Sequence, residues 1–242
     1  MTKHQHMSAK KLERSIKNIP SVTVSNLECK PIVLTDSKGW SIRRESRHLP
    51  QVQWEILNGA TTDHYHKWIS RNIASLQRRH NQVRIYLWTG TCDFTTKVGN
   101  LIHLNDNIDE AVSSYRNAID QIEKLVAEHS KIKITYLPIP HLSIETWNRT
   151  KGDTESASYK EQDKKLKEIV EIENRHLRSK NQNAGTYAPN LNAELVRSRS
   201  KGGRQRYSIN VKLLKDGVHP GLNLSKVWAA NIARCIADQC SR

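Results

Sequence analysis

Short apolar runs that stop in polar, glycine-bearing turns alternate along this chain with longer amphipathic segments. No other feature restricts the fold as much. Pro31-Ile32-Val33-Leu34 runs into Thr35-Asp36-Ser37-Lys38-Gly39, and Gln51 to Leu57 stops at Asn58-Gly59. Gln82 to Trp88 ends in Thr89-Gly90-Thr91-Cys92-Asp93, and Lys131 to Ile139 is closed by Pro138 and Pro140. Each reads as a buried strand ending in a loop. Between them, Thr61 to His80 carries Tyr65, Trp68, Ile69, Ile73 and Leu76 at helical spacing behind a Thr-Thr-Asp cap. Asn107 to Ser130 is a strongly amphipathic helix, 159–178 a charged one, and 222–241 a closing one with Leu224, Val227, Trp228 and Ile232 inward. Strands alternating with helices require a parallel sheet covered on both faces. About five strands are expected, the fifth drawn from Tyr207 to Leu214.

Residues 1–30 read as a basic, partly flexible arm, with five Lys/Arg against one Glu before residue 20. The folded domain is expected over 31–242, interrupted by a long loop at 179–206 rich in Asn, Ser, Gly and Arg. No apolar run approaches the 18 residues of a membrane-spanning helix, and no secretory signal is visible at the N-terminus. The four cysteines, at 29, 92, 235 and 240, lack metal-ligand spacing. They read as free thiols in a reducing, intracellular compartment, cytoplasmic or nuclear. Asp63, His64 and His66 at a helix start point apart and read as solvated surface.

The charge leaves two readings, a solvated basic loop and a surface that attracts polyanions such as nucleic acid, phosphoinositide headgroups or acidic glycans. Lys and Arg number 39 against 24 Asp and Glu, a net +15. Residues 173–215 hold ten Lys/Arg and two Glu, so more than half of that surplus lies in one stretch. Arg197, Arg199, Lys201, Arg204 and Arg206 beside Tyr207 have the composition used to bind RNA or single-stranded DNA, with cations for phosphates and a ring for stacking.

In an open α/β sheet, ligands bind beyond the carboxyl ends of the strands. Asp36-Ser37, Asn58-Gly59 and Gly90-Thr91-Cys92-Asp93 fall at such ends, and Asp216-Gly217-Val218-His219 in a late turn. A serine nucleophile needs a base, and the base needs a carboxylate to hold its tautomer. Ser37, His219 and Asp216 are the residue types for those roles. The amides of Ser37 and Gly59 are candidates for an oxyanion hole.

With these blocks in this order, the chain resembles the SGNH (GDSL-type) hydrolases and, more loosely, the SGNH domains carried by some animal retroelement proteins. Thr35-Asp36-Ser37 stands where the family has Gly-Asp-Ser, and Gly59 where it has its lone Gly. Gly90-Thr91-Cys92-Asp93 stands for Gly-x-Asn-Asp, and Asp216-Gly217-Val218-His219 for Asp-x-x-His. The resemblance spans 31–240. It implies a flavodoxin-like three-layer sandwich, with Ser37 as nucleophile, His219 as base and Asp216 as its orienting acid. It also implies an oxyanion hole from Ser37, Gly59 and the residue at 92, where Cys92 replaces the Asn whose amide would donate. The implied activity is hydrolysis of small acyl or acetyl esters without metal or organic cofactor. A catalytically weak relative that binds RNA or single-stranded nucleic acid through the basic loop is the alternative.

Overall fold

The structure is a computed structural model that describes residues 27–47, 49, 51–153, 156–201 and 204–241, together with Leu12 and Ile16. Most of the basic arm expected at 1–30 lies outside the described residues, although Leu12 is buried in the core. Four parallel strands form the central sheet: β1 (Lys30–Thr35), β2 (Gln53–Ile56), β3 (Val83–Trp88) and, after two strands of a small hairpin, β6 (Ile132–Tyr136). Their order is β2-β1-β3-β6, with Leu34 opposite both Glu55 and Leu87. The fold is a mixed α/β sandwich with helices on both faces.

Side chains alternate across the pleat, so each strand feeds two cores. Ile32, Leu34, Ile85 and Leu87 face a layer formed by α2 (Thr62–Arg79), α4 (Ile108–Ala127) and α6 (Ser156–Asn183). There they meet Tyr65, Ile69, Ile119, Ile122 and Val170. Val33, Tyr86 and Trp88 face α1 (Gly39–Glu45) and α7 (Leu222–Cys240), against Ile42, Val227, Trp228 and Ile232. Trp88 and Trp228 meet edge to face, their centroids 5.7 Å apart. Two short helices, α3 (Thr91–Phe94) and α5 (Ile144–Thr150), and the hairpin β4 (Thr95–Val98) and β5 (Leu101–Leu104) complete the rim.

Two expectations are corrected here. Among the described residues the sheet has four strands, not about five. Arg204–Ile209 (β8) pairs antiparallel with Val196–Lys201 (β7) in a separate ribbon. The segment read as a long loop from 179 is therefore helix to Asn183 and ribbon from Val196. At the free edge of β6, at Tyr136, and along the segment that follows it, asparagine side chains pair with the backbone. Asn181 accepts from Tyr136 N–H (2.9 Å) and donates to Tyr136 C=O (2.8 Å). Asn174 does the same at Ile139, at 2.7 and 2.9 Å. Asn192 accepts from His141 N–H and donates to Ile139 C=O, both at 2.9 Å. A side-chain amide carries one acceptor and one donor group, as a peptide does. Three of them satisfy this backbone without a strand.

The second correction concerns the cysteines. Cys29, just before β1, and Cys240, at the end of α7, form a disulfide, and Glu28 N–H donates to Cys240 C=O at 2.7 Å beside it. Only Cys92 and Cys235 are free. A separation of 211 residues hid the pair from any reading of spacing. Disulfides persist in oxidising surroundings, so the reducing compartment read from the cysteines loses its support. Among the described residues, no helix is long and apolar enough to cross a membrane.

Candidate active site

The carboxyl ends of β1, β2 and β3 lie side by side, and one tyrosine fastens two of them. The hydroxyl of Tyr65, on α2, lies 2.5 Å from Thr35 C=O and 2.8 Å from Glu55 C=O, and accepts from Leu57 N–H at 3.1 Å. Asp93 fastens the third. It accepts from Thr62 N–H at 2.9 Å and Gly90 N–H at 3.0 Å, so it holds the β3 turn onto the start of α2. Burial pushes its carboxyl up to about 6 against the pull of those donors.

Ser37 follows β1 directly. Its Oγ lies 2.9 Å from His219 Nε2, across 182 residues of sequence. His219 Nδ1 lies 2.8 Å from Asp216 Oδ2. The other Asp216 oxygen accepts the backbone N–H of His219 (2.8 Å) and Val218 (3.1 Å). Burial raises the Asp216 carboxyl, but the bonds from His219 and Val218 outweigh it and bring it down to about 2. Asp216 therefore stays ionised and fixes the proton of His219 on Nδ1, which leaves Nε2 as an acceptor facing the Ser37 hydroxyl.

The turn that carries Asp216 and His219 is closed by Lys215 N–H on His219 C=O (2.7 Å) and anchored by Ser143 N–H on Gly217 C=O (2.8 Å). Gly217 has φ +92°, and a Cβ there would sit 2.7 Å from Ser143 O, so only glycine fits. The Trp147 ring, on α5, packs at 5.7 Å from the His219 ring, and its indole N–H donates to Asn100 C=O.

Gly59 sits in the turn after β2 with φ +74°. Among the described residues, the N–H groups of Ser37 and Gly59 donate to no protein acceptor. The Cys92 thiol lies on α3, 3.8 Å from Asp36 Oδ2, and burial pushes it up to about 12. Asp36 in turn forms a buried ion pair with Lys38 Nζ and accepts Lys38 N–H at 3.0 Å. The structure thus brings Ser37, His219 and Asp216 together, with Gly59 and Cys92 at neighbouring strand ends. The basic residues Arg197, Arg199, Lys201, Arg204 and Arg206 belong to the β7–β8 ribbon, and their side chains lie outside the described residues. Sequence reading did not single out Lys38, Trp40 or Trp147, and it placed Asn58 at a strand end without giving its side chain a role. None carries a motif, and the side chains of Trp40, Asn58 and Trp147 acquire meaning only through contacts across the fold.

A parallel sheet in an α/β sandwich thus carries a Ser-His-Asp cluster beyond its strand ends. Its architecture recurs in solved structures. A GDSL-like lipase from Bacteroides thetaiotaomicron aligns with a TM-score of 0.57 at 14% identity, over 94% of this chain and 98% of that one. The lipase/acylhydrolase from Enterococcus faecalis aligns at 0.52 with 16% identity, over 87% and 96%. The C-terminal catalytic domain of peptidoglycan O-acetyltransferase A from Streptococcus pneumoniae aligns at 0.51 with 14% identity, over 89% and 96%. The chain has the SGNH (GDSL-type) hydrolase fold. No protein-family profile matches its sequence. No curated protein matches it either.

Proposed function

We propose that the protein is a serine ester hydrolase acting on small acyl or acetyl esters. The observation that carries this reading is the unbroken chain Ser37 Oγ–His219 Nε2–His219 Nδ1–Asp216 Oδ2, with links of 2.9 and 2.8 Å. His219 takes the Ser37 proton as Oγ attacks the ester carbonyl. The developing oxyanion is met by the free N–H groups of Ser37 and Gly59. His219 then gives its proton to the departing alkoxide, leaving an acyl-Ser37. Water, deprotonated by His219, releases the acid and restores Ser37. Asp216 stabilises the imidazolium formed in both halves. None of these steps calls on a metal or organic cofactor.

The test joins labelling to turnover. A fluorophosphonate probe is expected to modify Ser37, and p-nitrophenyl acetate to be hydrolysed at a rate that Ser37→Ala abolishes. Equal rates for wild type and Ser37→Ala, with no adduct at Ser37, would remove the reading.

A second reading, a site for RNA or single-stranded DNA, is favoured by the register of the ribbon. Arg199 stands opposite Arg206, and Lys201 opposite Arg204. Five basic residues on two paired strands concentrate positive charge, which attracts a polyanion. Binding that weakens steeply with salt would support it. No binding to single-stranded RNA at low salt would end it.

A further inference from the structure

The oxyanion hole implied by the family resemblance has a side-chain donor at position 92, and here that position holds a thiol. The Cys92 sulfur sits within donor range of Asp36 Oδ2, at 3.8 Å, and S–H is a weak donor in any setting. The two backbone amides therefore lack a side-chain partner on the β3 side. On the β2 side, the turn Leu57-Asn58-Gly59-Ala60 is closed by Ala60 N–H on Leu57 C=O (3.1 Å), and Leu57 N–H is held by Thr35 C=O (3.1 Å). Asn58 immediately precedes the free amide of Gly59. Its side chain reaches the helix that follows the nucleophile, where Asn58 Oδ1 accepts the indole N–H of Trp40 at 2.9 Å. Trp40 is itself tied to the nucleophile's turn, its backbone N–H on Ser37 C=O at 3.3 Å.

Indole nitrogen is a donor only, so the amide oxygen of Asn58 must face it. The Nδ2 group is left pointing away from the indole. It donates to no protein acceptor among the described residues. We infer that Asn58 Nδ2 is the side-chain donor to the oxyanion, standing in from the β2 side for the amide missing at Cys92, with Trp40 as the positioning residue that fixes its orientation. The inference rests on the esterase reading. It assigns to the second block a role that its glycine alone does not fill.

The experiment measures kcat and KM for p-nitrophenyl acetate in wild type, Ser37→Ala, Asn58→Ala, Asn58→Asp, Trp40→Phe and the pair Asn58→Ala with Cys92→Asn. Loss of a donor used only in the transition state lowers kcat and leaves KM. Asn58→Ala is expected to lower kcat about 10- to 100-fold, less than the 10²–10³ of a donor in a closed site, because Asn58 is exposed. Asn58→Asp keeps the acceptor for Trp40 but has no N–H to give, and is expected to lose at least as much. Trp40→Phe lowers kcat by a smaller factor. Cys92→Asn is expected to raise kcat more in the Asn58→Ala background than in wild type, because the two amides serve one oxygen. A purely structural Asn58 would leave Asn58→Asp active and show no such rescue. If Ser37→Ala abolishes turnover while Asn58→Ala and Asn58→Asp keep wild-type kcat, this assignment falls and the esterase reading stands. If Ser37→Ala changes nothing, both fall.

Discussion

Replacing Asn181 with Ala removes both hydrogen bonds that cover the free edge of the sheet at Tyr136. Each buried backbone group left without a partner costs about 1–3 kcal/mol. The lower end applies here, because Asn181 also lines a cavity of about 710 Å³ with Asn174, Arg178 and Asn192. Water admitted from that cavity can re-satisfy part of the exposed peptide. Alanine also returns about 0.5 kcal/mol of helix propensity inside α6. The net expectation is a loss of about 1.5 kcal/mol, or about 3–6 °C in Tm for a chain of this length. Urea unfolding should show a lower midpoint at unchanged slope, since the surface exposed on unfolding is the same. Exchange of the Tyr136 amide hydrogen should speed up more than that of Ile85 in the sheet interior. A loss under about 0.5 kcal/mol, the scale of an ordinary surface substitution, would refute the claim that asparagine side chains satisfy this backbone.

Lys38→Met should cost about 3–5 kcal/mol, because it strands the buried Asp36 carboxylate; Asp36→Asn in the same chain should recover much of it in the same urea assay. Asp93 is held above its ordinary value, near 6, so the folded state binds that proton more tightly than the unfolded chain. The stability it contributes is complete below about pH 4 and is lost as pH rises through about 6. Asp93→Asn should flatten the dependence of unfolding free energy on pH across that window, and an unchanged slope would contradict it. Reducing the Cys29–Cys240 disulfide should lower stability by about 2–5 kcal/mol, given the length of chain it closes; calorimetry with and without reductant checks it.

The strand ends and their polar blocks were legible because chemistry and turn-making use the same small residues at the same places. Asp36-Ser37, Asn58-Gly59 and Gly90 to Asp93 interrupt runs whose apolar pattern is plain. The parallel sense of the sheet followed from alternation alone; its strand order, and the fate of the expected fifth strand, did not. Asn174, Asn181 and Asn192 read as helix and loop polarity, since an asparagine that imitates a peptide leaves no periodic signal. The short α1 escaped because seven residues give barely two turns and no side chain caps it. The disulfide escaped because its halves lie at opposite ends of the sequence. Trp40 and Trp147 gained meaning only when Asn58 and His219 were found beside them.

The disulfide lies at the pole where the strands begin, and Ser37 at the pole where they end. Tension applied at Glu28 and at Ser241 would pass through one covalent link, leaving the sheet, the triad turn and the helices between them unloaded. In that sense the body of the protein is a pendant loop on a short tether. Stretching in an oxidised sample should register only the flanking segments, and the folded body should enter the force path once the link is reduced.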